Sequence, residues 1–112
     1  LDNVPEWPKK LLGVYRERRD RTLLALARFG WNVPTPSMSL YLWMPLPFWA
    51  KERGWNDEKF AKELLHQTGI ALTPGSGFGD GGSGWLRLAL VLPADQLEAA
   101  IVRIETWWHE QS

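Results

Sequence analysis

Apolar and polar positions recur along this chain with two different periods, and the switches between them mark out its elements. In residues 8–29 the apolar side chains Leu11, Leu12, Tyr15, Leu23, Leu26 and Phe29 fall near helical spacing, and Gly30 follows as a stop. Pro34 and Pro36 forbid helix, and residues 39–44 then alternate, which predicts a strand that Pro45 and Pro47 end. A second helix is signalled by Asn56 as a cap, by Asp57 and Glu58 against the helix dipole, and by Trp55 and Phe60 at the spacing of a hydrophobic staple. Its buried stripe is Phe60, Ala61, Leu64 and Leu65, and Gly69 closes it. Residues 70–73 form a short strand, a glycine-rich loop follows, and residues 85–92 form another strand. The last helix has Asp95 and Glu98 at capping-box spacing and an apolar stripe of Leu97, Ile101, Ile104 and Trp108.

The order α-β-α-β-β-α predicts an α/β (α+β) domain: a small three-stranded mixed sheet with helices covering one face. Placing the third strand between the other two, antiparallel to both, leaves the helical crossover right-handed, as such connections nearly always are. With 112 residues there is room for one domain with one core. Thirteen basic and thirteen acidic side chains cancel, so no long-range field gathers nucleic acid or an anionic membrane. The lack of cysteine removes disulfides, thiolate metal sites and thiol nucleophiles, and with no signal pattern or membrane-length apolar run it points to a cytoplasmic protein. A start at Leu1 rather than methionine suggests an excised piece.

Two features complicate this picture. Eight tryptophans are more than a small domain easily buries, so several are expected on surface awaiting a partner, with core and rim packing as the alternative. Arg16, Glu17, Arg18, Arg19, Asp20 and Arg21 deprive the first helix of an apolar face for more than a turn, as solvent exposure or a bridge between two domains would require.

Chemistry is concentrated near the third strand. Gly77, Gly79 and Gly82 match the spacing of a dinucleotide loop, but a strand follows where that motif needs a helix N-terminus, and no Walker lysine is present. The glycines then serve either positive φ in a hairpin connection or a slim loop that lets backbone approach a ligand. On the strand itself Leu86, Leu88 and Leu90 share one face, and Trp85, Arg87, Ala89 and Val91 the other. Arg87 among apolar neighbours needs a partner if buried. That partner is a local carboxylate such as Asp80 or a bound ligand, unless the arginine simply lies exposed on an open sheet face. His66 and His109 have no metal-ligand spacing, the serines lie in no nucleophile elbow, and the five lysines fall in polar contexts unsuited to a Schiff base.

Several segments, taken in order, resemble the C-terminal small domain of class I pyridoxal-phosphate aminotransferases. They are Tyr15-Arg16-Glu17-Arg18-Arg19-Asp20, Pro36 with Leu40-Tyr41-Leu42-Trp43, Phe60-Ala61-Lys62-Glu63-Leu64-Leu65, Thr73-Pro74-Gly75-Ser76-Gly77-Phe78-Gly79, and Trp85-Leu86-Arg87-Leu88-Ala89-Leu90. The resemblance implies one small domain over residues 1–112, with an interdomain-type helix in 1–30 and an α/β body in 31–112. It implies that Arg87 binds the α-carboxylate of an amino-acid or 2-oxo-acid substrate through two parallel charge-assisted bonds. It further implies that Gly75, Ser76, Gly77 and Phe78 form an active-site loop, and that the cofactor, pyridoxal phosphate, is held mainly by a large domain of the same polypeptide in a homodimer. The chain by itself is then expected to be inactive, since it has neither the Schiff-base lysine nor another catalytic residue. Met38 departs from the family pattern, where alanine or glycine is common, so contacts near the substrate entrance are expected to differ. The competing expectation is a free-standing module that binds a small carboxylate for regulation.

Overall fold

In the computed structural model, which describes residues 7–37 and 39–111, seven elements follow one another. They are α1 (Lys9–Ala27), β1 (Tyr41–Pro45), α2 (Phe48–Glu52), α3 (Asp57–Thr68), β2 (Thr73–Pro74), β3 (Trp85–Ala89) and α4 (Ala94–Glu110). Met38, whose departure from the family pattern drew notice, lies outside the described residues. The sheet order is β1-β3-β2, and β3 runs antiparallel to both neighbours, as the crossover argument requires.

Period-two alternation sorts the sheet into two faces. Leu42 and Met44 of β1 and Leu86 and Leu88 of β3 are buried. They join one apolar core with Ala25 and Leu26 of α1, Phe60, Ala61 and Leu64 of α3, and Leu97, Ile101, Ile104 and Trp107 of α4. Burying a leucine or isoleucine of this kind stabilises the fold by about 1.5–3 kcal/mol. The other face carries Tyr41, Trp43, Trp85 and Arg87, all half-buried and none in the core.

The strongest local signals are realised in α3. The Asn56 Oδ1 accepts the Lys59 N–H at 2.8 Å, Gly69 closes the helix with φ 76°, and the Trp55 and Phe60 rings meet at 6.4 Å. Leu65, expected on the buried stripe, is instead half exposed. Elsewhere the structure corrects the sequence reading. Helix α2 went unpredicted because Pro47 stops β1 and then, with φ −69°, starts a single turn that is too short to show a period. Residues 70–72 lie outside the ladder, and β2 is only Thr73–Pro74. Strand β3 ends at Ala89, leaving Val91 and Leu92 exposed.

Helix α4 begins behind Pro93 with no side-chain cap, so Asp95 and Glu98 do not form a capping box. Both carboxylates turn to α1: Arg21 Nη2 donates to Asp95 Oδ1 and to Glu98 Oε1, each at 2.5 Å. The charged run of α1 is therefore neither bare nor uniformly solvated. Arg18 donates to the Leu90 carbonyl at 3.0 Å beyond the end of β3, and Arg19 to the carbonyls of Pro36, at 3.1 Å, and Ser37. Three arginines thus fasten α1 to the end of β3, to the loop before β1 and to α4.

Of the eight tryptophans, Trp31 and Trp107 are buried and Trp49, Trp55 and Trp108 pack half-buried against the core, while Trp43 and Trp85 stay half-buried on the open sheet face. Trp31, Trp49, Trp55, Trp107 and Trp108 interlock with Phe60 in tilted and edge-on pairs, among them Trp31 and Trp108 at 5.0 Å. Trp107, at 4 % exposure, takes the buried place on α4 that the stripe had given to Trp108, which is half-buried. No helix among the described residues is long and apolar enough to cross a membrane.

The Arg21 pair has a pH signature. Hydrogen bonding to Arg21 holds the Glu98 carboxyl below its ordinary value. A depressed carboxyl stabilises the fold above its unfolded-state pKa, about 4.3, and that contribution is lost as pH falls through the lower folded value. Thermal unfolding between about pH 6 and 3 should show the midpoint of Glu98→Gln falling less with acid than that of the unaltered chain. Equal acid slopes would contradict the pairing.

Candidate functional site

Arg87 reaches the open face of the sheet because its neighbours Leu86 and Leu88 fill the closed one. As the central residue of the central strand it is flanked on both sides, by Trp43 of β1 and Thr73 of β2. Its guanidinium lies over two aromatic rings. Arg87 Cζ is 4.1 Å from the Tyr41 ring centroid and 4.4 Å from that of Phe78, and Trp43 meets Phe78 edge-on at 5.7 Å. Among the described residues no carboxylate and no hydrogen-bond acceptor engages Arg87. The side chain of Asp80, the local carboxylate that sequence suggested, lies outside what is described. Beside Arg87, Trp43, Phe78, Gly81, Gly82 and Trp85 line a cleft of about 400 Å³.

The glycine loop forms two tight turns, Gly75–Phe78 and Asp80–Gly82, and leads into β3. Its glycines do two kinds of work. Gly79 and Gly84 have φ 110° and 83°, in the region that L side chains avoid. Gly75 and Gly82 instead pack backbone against backbone: a Cβ on either would overlap the other's carbonyl oxygen. The slimness of the loop thus lets the loop close on itself. A third restraint was read only as a dipole partner in the sequence. Asp57, in the first turn of α3 and 2 % exposed, accepts the Ser76 N–H at 2.7 Å through Oδ2.

Of the residues singled out from sequence, then, Phe78 joins Arg87, Gly75 and Ser76 fix the loop, and Gly77 sits exposed at a separate rim beside Glu58, Thr73 and Pro74. Tyr41 and Trp43 escaped notice as site residues. The signal was present: pairing β1 next to β3 with both alternations in phase puts Tyr41 and Trp43 on the face of Arg87. The arrangement suits recognition of a planar anion, since a guanidinium held by ring faces keeps its donors for an oxygen pair. Neither histidine is near it: His66 is exposed on α3, and His109 pairs with Glu105 on α4 at 3.6 Å.

The chain belongs to the aminotransferases of class I and II, whose family model matches residues 4–104. Among curated relatives, the LL-diaminopimelate aminotransferase of Dehalococcoides mccartyi is 44 % identical over 91 residues, which is 81 % of this chain and 22 % of that protein. An aromatic aminotransferase from Pyrococcus horikoshii superposes with a TM-score of 0.82 at 25 % identity, covering 92 % of this chain and 26 % of its own. A probable N-succinyldiaminopimelate aminotransferase from Thermus thermophilus gives 0.73 at 38 % identity, covering 88 % and 26 %. The chain spans about a fifth to a quarter of the length of the proteins it matches.

The backbone contact in the loop yields a contrast within one motif. Gly75→Ala or Gly82→Ala should lower stability by about 1–3 kcal/mol, as overpacking does, whereas Gly77→Ala, whose Cβ meets nothing, should stay within about 0.5 kcal/mol. Chemical denaturation of the three variants measures this, and equal effects would refute the contact.

Proposed function

We propose that residues 1–112 are the substrate-carboxylate-binding small domain of a pyridoxal-phosphate-dependent aminotransferase, which transfers an amino group between an amino acid and a 2-oxo acid. In this reading residues 1–30 supply the interdomain helix and 31–112 the α/β body, and the parent enzyme is a cytoplasmic homodimer. One observation carries the proposal: an arginine on the open sheet face, held by two aromatic rings, with no protein acceptor among the described residues. Family membership supports the choice of a substrate carboxylate as its partner.

Two parallel N–H···O bonds from Arg87 would fix both the position and the rotation of the substrate about its Cα, and so set the Cα–H bond at the angle that proton removal needs. Pyridoxal phosphate, when bound, supplies the electron sink for that cleavage. The residues present do not fit this cofactor. Lys9, Lys10, Lys51, Lys59 and Lys62 are all exposed, and none lines the cleft beside Arg87. The cofactor is accordingly assigned to a large domain of the same polypeptide, and this chain alone should not transaminate. The share of the relatives that the chain spans supports that division. The identity with LL-diaminopimelate aminotransferase favours a substrate of the diaminopimelate kind among amino acids.

In the complete enzyme, Arg87→Ala should lower kcat/KM for the amino-acid substrate by at least about a hundredfold, because two charge-assisted bonds are lost. Arg87→Lys should recover little of it, lacking the fork. A loss below threefold would defeat the assignment. The alternative, a free-standing carboxylate-binding module, draws on the placing of Arg87 and its cleft on one chain. Tryptophan fluorescence should detect no saturable binding of 2-oxoglutarate to the chain by itself below about 1 mM, and micromolar binding would favour the module.

A further inference from the structure

Phe78 is the odd residue of the glycine loop. It is 51 % exposed, so burial does not account for a phenylalanine at that place. What its ring does touch is Arg87, at 4.4 Å, and the edge of Trp43. Tyr41, half-buried on β1, presents its ring to the same guanidinium at 4.1 Å. A long arginine side chain loses rotamer freedom when it binds, and that loss weakens binding unless the side chain is already held. An ion pair to a protein carboxylate would hold it but would occupy the fork. Ring faces hold the cation without supplying an oxygen acceptor, so the fork stays available.

We propose that Tyr41 and Phe78 are positioning residues that hold the Arg87 guanidinium in the orientation needed for a substrate carboxylate, and that Asp57 latches Phe78 in place through the loop backbone. The proposal rests on the reading of Arg87 as the carboxylate clamp. The latch has a definite route. Asp57 Oδ2 takes the Ser76 N–H at 2.7 Å, Gly75 is locked against Gly82, and Phe78 ends the same turn two residues further on. Tyr41 needs no latch, because β1 is paired with β3 along its whole length. Asp57 lies in the first turn of α3 and Phe78 beside Arg87, so a helix that packs in the core reaches the site through one backbone hydrogen bond to its loop.

The test compares, in the complete enzyme, the half-reaction with L-glutamate and that with 4-aminobutyrate, which has the same distal carboxylate and lacks the α-carboxylate. Phe78→Leu and Tyr41→Leu should each lower kcat/KM for glutamate about tenfold, chiefly through KM, and leave that for 4-aminobutyrate within about twofold. Tyr41→Phe and Phe78→Tyr keep a ring and should stay within about twofold on both. Asp57→Ala should behave as Phe78→Leu does, with melting temperature recorded for every variant as the check on folding. Equal losses on the two substrates would mean a general structural role, and no loss on glutamate would mean no role; either overturns the proposal. Arg87→Ala separates this failure from the larger one. If it removes the preference for glutamate while the ring variants do not, only the positioning idea falls, and if it leaves the preference intact, the carboxylate assignment falls and takes the positioning idea with it.

Discussion

The pairing of β3 on both of its edges is the constraint from which the rest follows. A central strand has one choice, which face each alternate residue takes, and the leucines at 86 and 88 make that choice for it. A slip of one residue would put those leucines on the uncovered face and drive Arg87 into the apolar core, where an unpaired cation costs several kcal/mol. The interaction that builds the core is thus also what presents Arg87. Its position at the middle of the strand keeps it clear of fraying ends.

The remaining elements refine that placement. Strand β1 contributes Tyr41 and Trp43 to the open face while Leu42 and Met44 pack into the core, so one register serves both purposes. The glycine loop returns to β3 through a backbone contact that only glycine permits, and α3 holds it through Asp57. On the closed side, the α1 arginines reach α4, the loop before β1 and the end of β3, so the charged run of this helix ties it to distant parts of the chain. The interlocked tryptophans stiffen the core away from the cleft.

Local physics made part of this legible in the sequence. Helix α3 could be read from Asn56, Trp55, Phe60 and Gly69 because caps and staples act within a few residues. The face of Arg87 could be read because alternation is geometric. Contacts between distant residues left no such trace. Asp95 and Glu98 have the spacing of a capping box, yet Arg21, far away in sequence, claims both, and nothing in the local pattern distinguishes the two outcomes. Gly75 and Gly82 looked like turn residues because a backbone-to-backbone contact has the same composition as a flexible loop. Asp57 was legible as a first-turn acid but not as the acceptor for Ser76, since that depends on where the loop returns. Tyr41 and Trp43 were within reach of the register argument, and only the substrate carboxylate proposed as the partner of Arg87 came from the ordered resemblance to the aminotransferases.

The account makes Arg87 a donor whose acceptor is brought by the substrate. The most direct measurement is a crystal structure of the complete polypeptide with a 2-oxo acid bound. The account predicts the α-carboxylate of the ligand lying in the plane of the Arg87 guanidinium, with two N···O distances of about 2.7–2.9 Å and the Tyr41 and Phe78 rings still against it. A ligand carboxylate bound elsewhere, with Arg87 paired to a carboxylate of the protein, would contradict it.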